Sequence, residues 1–188
     1  MKKLLRFICG ILSIAILQFV LVVVHAESTE YATGYEADSN TWINNHLYSS
    51  EPTVQSFPTA VDNSTSPYFP DIGNQGQIGC CTSFATTYYQ FTYEANKLNN
   101  IFTTPENTYC PMWSYNYCND GLNKGTSFEN NYNILKNVGA LRYSDYDFTF
   151  SMNKNDSANY TYWSNNTPAK LEALETRVSS VYALKTPV

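Results

Sequence analysis

Histidine is almost missing from this chain of 188 residues: it has two, His25 and His46, and none follows position 46. The cysteines at 80, 81, 110 and 118 are not spaced like the paired ligands of a structural zinc site, so neither a metal nor a cofactor is expected. Basic residues are scarce as well. Eleven Lys and Arg stand against 16 Asp and Glu, for a formal net charge of -5. Three of those cations, Lys2, Lys3 and Arg6, lie at the extreme N-terminus, which leaves 8 basic against 16 acidic residues in the rest. Without a Lys/Arg cluster there is no footprint for phosphate, and nucleic acid is excluded as a partner. Beyond Val24 no second apolar run is long enough to cross a bilayer. Only 14% of the residues are charged, so the polar surface must be largely Asn, Ser, Thr and Tyr. What is abundant is aromatic: 15% of the chain, including 16 Tyr, within a 43% hydrophobic total. That composition argues against disorder, and the length suits one domain of roughly 150 residues.

The chain opens with a positive segment and an apolar run from Phe7 to Val24, then Val24-His25-Ala26, whose small final residue suits signal peptidase. The expected organisation is a signal peptide over residues 1–26, with an uncleaved membrane anchor as the alternative. A polar lead-in or short pro-segment follows over 27–60, and a folded domain over 61–188. The protein is therefore read as secreted or extracellular, with no membrane contact beyond the first segment.

Within the domain, 61–79 carries Pro and Gly and reads as loop. Phe84, Tyr88, Phe91, Ala95 and Leu98 then recur at steps of four and three, which predicts a helix over 81–99 with one buried face. Tyr88, Tyr89, Phe91 and Tyr93 are read as helix core and flank rather than as a ligand stack. Residues 101–124 read as loop. A second helix is predicted over 128–138, with Ser127 as N-cap and Gly139 as C-cap. A third is predicted to start with Thr167 as cap and Pro168 at its first position, burying Leu171, Leu174 and Val178. The stretch after Arg177 could begin a strand.

The chemistry concentrates in GNQGQIGCCTSFA, residues 73–85. Cys81 opens the predicted helix, where unpaired N–H groups stabilise a thiolate. Gly73, Gly76 and Gly79 allow close backbone approach. Gln75, six residues before the cysteine, carries an amide able to donate to an oxyanion.

This stretch resembles the active-site segment of papain-like cysteine peptidases, peptidase family C1, and is closest to bacterial secreted members. The likeness rests on Gln75-Gly76, Gly79, Cys81 and Phe84. It extends through Val61-Asp62 and Phe69-Pro70 upstream. Downstream it takes in CPMWSYN (residues 110–116), similar to the substrate-cleft loop, then Gly125, the helix end at Gly139 and YSDYDF. The resemblance implies an α+β fold, chiefly the helical left domain of a papain-like proteinase, with the right β-domain largely missing. It implies Cys81 as nucleophile and Gln75 as oxyanion donor, Gly79 and Gly125 as substrate-binding residues, and a peptide or protein as substrate. Cys80 then stands where the family usually has Ser, and Thr82 where it has an aromatic residue. Ile78 replaces a cysteine that many relatives bridge to the cleft loop, so Cys110 and Cys118 are left to bridge one another or stay free.

The family places its histidine and asparagine about 130–150 residues past the cysteine. Here 107 residues follow Cys81 and contain no histidine. His46 is read as a solvated surface residue. The expectation is thus the N-terminal half of a secreted thiol peptidase, inactive as it stands, with the C-terminal half encoded downstream. The alternative is a non-catalytic secreted or cell-surface peptide-binding module. Disulfide exchange by Cys80-Cys81 is disfavoured, because redox pairs place two residues between the sulfurs.

Overall fold

A computed structural model of the chain describes residues 34–48, 60–146, 157–163 and 166–183, all within the part that runs from Tyr31 to Val188. The proposed signal peptide, most of the lead-in, the end of YSDYDF and the last five residues lie outside these. Among the described residues no helix is long and apolar enough to cross a membrane.

The architecture is helical. Helix α1 is Asn40–His46, and a 3-10 turn covers Asn63–Thr65. Residues 81–98 form one unbroken helix, α2, made of an α-turn Cys81–Ser83, a π-helical stretch Phe84–Phe91 and an α-helical end Thr92–Leu98. Then come α3 (Pro111–Cys118), α4 (Phe128–Asn137), α5 (Ser157–Thr161) and α6 (Thr167–Glu175). Extended pairing is limited, among the described residues, to isolated bridges: Tyr35 with Thr126, Leu47 with Ala183, and Tyr109 with Arg142. Of the possible strand after Arg177, the described residues, which end at 183, show the Ala183 bridge.

Helix α2 runs where the apolar period predicts and lies against α3 and α4. Phe84, Tyr88 and Phe91 are buried as expected, but Leu98 is 86% exposed. The reason lies in the π stretch. Its i→i+5 bonds, such as Thr92 N–H to Thr87 O, widen the turn and rotate the last residues away from a 3.6-residue stripe. The same widening lines up Ser83, Thr87, Thr92 and Asn96 as a buried polar row. Each of them finds a partner: Thr87 Oγ1 with Ser114 Oγ at 2.6 Å, and the Tyr109 N–H on Thr92 Oγ1 at 3.0 Å. Ser83 Oγ donates to Asn131 Oδ1 at 2.5 Å, and Asn96 Nδ2 donates to Thr103 Oγ1 at 2.9 Å.

Helix α3 corrects the reading of 101–124 as loop and of CPMWSYN as a cleft loop. Met112, Trp113 and Tyr115 are all within 2% of full burial, so the segment has no polar face for a periodic signal to show. Pro111 occupies its first turn. Helix α4 starts as predicted, with Ser127 Oγ accepting from the Asn130 N–H at 3.1 Å; its C-cap is Val138, and the expected Gly139 follows it with φ +82°. Helix α6 departs in two respects. Its cap is Asn166, whose Oδ1 accepts from the Ala169 N–H, not Thr167. Its buried residues are Ala169 and Ala173, while Leu171 and Leu174 face outward. A Cβ added at Gly139 would fall 1.7 Å from Ala173 O, so this helix approaches too closely for leucine to face inward.

Candidate active site

The loop entering α2 is shaped by its own backbone. Gly76 N–H donates to Asn74 Oδ1 at 2.8 Å, and the Ile78 carbonyl accepts the Cys80 N–H at 2.8 Å. Gln75 Nε2 donates to that same carbonyl at 3.0 Å. The amide expected to serve an oxyanion is therefore engaged inside its own loop.

The two adjacent cysteines part at this point. Cys80 is fully buried in the core, and burial holds its thiol well above the ordinary range. Cys81, the first residue of α2, is half-buried, and both sulfurs are unbridged. Cys80 sits at the N-cap without a side-chain cap hydrogen bond, its carbonyl accepting the Phe84 N–H at 3.0 Å. The first-turn N–H groups of α2 thus have no side-chain acceptor, which leaves a partial positive charge beside Cys81.

Behind Cys81, Thr82 anchors the turn. Its Oγ1 lies 2.5 Å from Thr126 Oγ1, and Asn131 Nδ2 reaches both hydroxyls, at 3.2 and 2.9 Å. Asn131 also donates to Ser127 O at 2.9 Å and accepts from Ser83. One buried amide therefore ties α2, α4 and the 126–127 stretch together.

Gly79 and Gly125 meet in space, and a third glycine joins them. A Cβ on Gly79 would lie 2.7 Å from Lys124 O, and one on Gly125 would lie 3.0 Å from Gly34 O. One on Gly34 would overlap Gly79 O at 2.0 Å. Backbone thus presses on backbone, and any side chain here would force the strands apart. Residues 34–36 lie in this groove as an extended segment. Thr126 N–H donates to Gly34 O at 2.8 Å, and Glu36 N–H donates to Thr126 O at 3.0 Å. Asn123 clamps the opposite wall, accepting the Gly79 N–H at 2.8 Å and donating to Gln77 O at 3.1 Å.

The chain was compared with models of known families, with curated proteins and with solved structures. It matches none of them.

Two other expectations are settled by geometry. Cys110 and Cys118 stand at opposite ends of α3, about 12 Å apart along its axis at 1.5 Å per residue. That is too far for a disulfide, and both are free. His46 is half-buried rather than solvated. Its ring stacks on Trp42 at 4.6 Å, and its Nδ1 lies 2.8 Å from Trp42 O. Among the described residues no group of three His, Cys, Asp or Glu could hold a metal ion.

The structure brings Cys81, Gly79 and Gly125 to one place and holds Gln75 on Ile78. Asn123, Thr126 and Asn131 escaped the sequence reading. Nothing in an Asn-rich chain marks the three that matter. The arrangement sets a half-buried cysteine at a helix start two residues from Gly79, where residues 34–36 pair by backbone with Thr126.

Proposed function

We propose that this chain is the cysteine-bearing helical part of a papain-like thiol peptidase that is secreted and acts on peptide or protein substrates. The observation that carries the reading is the seating of residues 34–36 on Thr126, beside Gly79 and two residues from Cys81. A groove that pairs with one extended segment through backbone N–H and C=O suits another, whatever its side chains. In the reaction, Cys81 Sγ attacks the peptide carbonyl carbon. The developing oxyanion accepts from the Cys81 N–H and from Gln75, whose amide turns from Ile78 O. A histidine takes the Cys81 proton and returns it to the amine as the C–N bond breaks, and water then hydrolyses the thioester, releasing the carboxylic acid and restoring the thiol. The proton donor must be a histidine, and none follows Cys81 in this chain. Residues 34–36 are the resident occupant that a substrate displaces.

The engagement of Gln75 on Ile78 O favours a second reading, a secreted peptide-binding module without catalysis. Both are tested on the full chain with a fluorogenic peptide and with a peptidyl vinyl sulfone, followed by peptide-mapping mass spectrometry. The expected result is no turnover, with labelling confined to Cys81 and faster than with methyl vinyl sulfone. Equal rates for the two reagents, or labelling first at Cys118, would remove the groove from either reading. Turnover abolished by Cys81→Ala would show that the chain completes catalysis alone and would discard the module.

A further inference from the structure

The segment seated beside Gly79 and Gly125 is held by its residue types as well as by its backbone. Gly34, at its head, is buried, and a Cβ there would lie between 2.0 and 2.8 Å from three backbone atoms of Gly79. Backbone cannot step aside as the end of a flexible side chain can. The facing wall is fixed too: Thr126 is fully buried, and its hydroxyl is tied to Thr82 and Asn131. That position therefore takes glycine and excludes residues with a side chain.

The next residue is met by a ring. Tyr35 lies 5.7 Å from Phe128, tilted by 51°, and Phe128 in turn lies 6.3 Å from Tyr132. Ring pairs at this separation attract beyond the area they bury. Tyr35 stays 55% exposed, so the position favours a ring without enclosing it.

Three residues further on, the Asp38 carboxylate accepts the Glu129 N–H at 2.6 Å, in the first turn of α4. The Glu129 carboxylate returns the contact by accepting the Ser39 N–H at 3.1 Å. A carboxylate at this end of a ten-residue helix satisfies an N–H that has no partner within the helix and meets the positive end of its dipole. Backbone pairing supplies affinity for any extended segment, and these three positions supply the choice among segments.

We infer that the groove selects acidic peptides in which a glycine is followed by an aromatic residue and, three residues after that, by an aspartate. The resident segment is a template for what displaces it. The inference rests on the reading of this groove as a peptide site, with or without catalysis.

The test uses the full chain carrying Gly34→Ala, whose own segment no longer fits, and acetyl-GYEADS-amide, the sequence of residues 34–39. Two-dimensional NMR should show saturable shifts at the Gly79, Gly125 and Thr126 amides. The peptide carrying Gly34→Ala should bind about thirtyfold more weakly. Asp38→Asn in the peptide should weaken it about fivefold, Tyr35→Ala about fivefold, and Tyr35→Phe not at all. Circular dichroism checks the fold of the host; if Gly34→Ala unfolds it, the chain carrying Tyr35→Ala takes its place. Equal binding of the glycine and alanine peptides would overturn the inference, as would absence of saturable binding. Labelling of Cys81 by the peptidyl vinyl sulfone, followed on the same sample, separates selectivity from catalysis. A glycine preference with equal labelling by the two sulfones keeps the selectivity and discards the peptidase; faster peptidyl labelling with no glycine preference does the reverse.

Discussion

Helix α2 is held differently at its two ends. At the Cys81 end it is fastened by amides, hydroxyls and bare backbone: Asn131 bridges Thr82, Ser83 and Thr126, and glycine lies on glycine. Around Tyr88 and Tyr89 it is held by rings, with Phe69 stacked on Tyr89 at 5.7 Å and Tyr88 edge-on to Tyr143 at 6.5 Å. Hydrogen bonds in a buried network fix direction as well as distance, and each loses its value when one member goes. Ring packing is less directional and tolerates replacement by another apolar group. The Cys81 end is therefore built for position and the ring end for shape.

The largest break in that contrast is expected from Asn131→Leu. It leaves Ser83, Thr82 and Thr126 without their amide in a dry site, at a cost of about 3 kcal/mol. Urea unfolding measures this, and a loss below that of a ring substitution would refute the ranking.

A titration sharpens the comparison. Burial raises the thiols of Cys80 and Cys110, the latter from an ordinary 9.0 to about 12. The unfolded chain then gives up these protons first. Stability is full below pH 9 and falls as pH rises from 9 toward 12, by on the order of 1 kcal/mol per pH unit for each thiol. At the ring end Tyr88 adds to the loss only above its ordinary 10.0. Urea midpoints measured from pH 8 to 10.5 should decline from about 9, and Cys110→Ala should flatten the first part of that decline. A midpoint constant to pH 10 would contradict the assignment.

The smallest effect is expected from Phe69→Leu. It keeps an apolar wall and loses ring stacking alone, about 1 kcal/mol by thermal unfolding.

The same contrast explains what could be read in advance. Amphipathic periodicity announces helices that bury one face, and α2 and α4 run close to their predicted bounds. Helix α3 is buried on nearly every side, Ser114 and Asn116 included, and α1 is polar nearly throughout, so neither has a period to read. The outward leucines of α6 misled because close approach, at Gly139 against Ala173, outweighed hydrophobicity. At the candidate site, Gly79 and Cys81 are marked by a local motif, and the glycine contact that brings Gly125 to Gly79 is seen only in the structure. Asn123 and Asn131 act through contacts 44 to 49 residues apart, which no local pattern encodes.

The π stretch of α2 also makes the helix a phase setter. Each i→i+5 bond holds one residue more than an α-turn would, and Ala85, exposed within the stretch, is the natural one to lose. Deleting it while keeping the core side in register would turn Cys81 about 100° around the axis, the angle of one residue in an α-helix. The Cys81 side chain would change its direction relative to Gly79 and Gly125 although neither glycine had changed. In such a helix the length of the segment is itself under constraint, and insertions or deletions there displace Cys81 without a substitution at it.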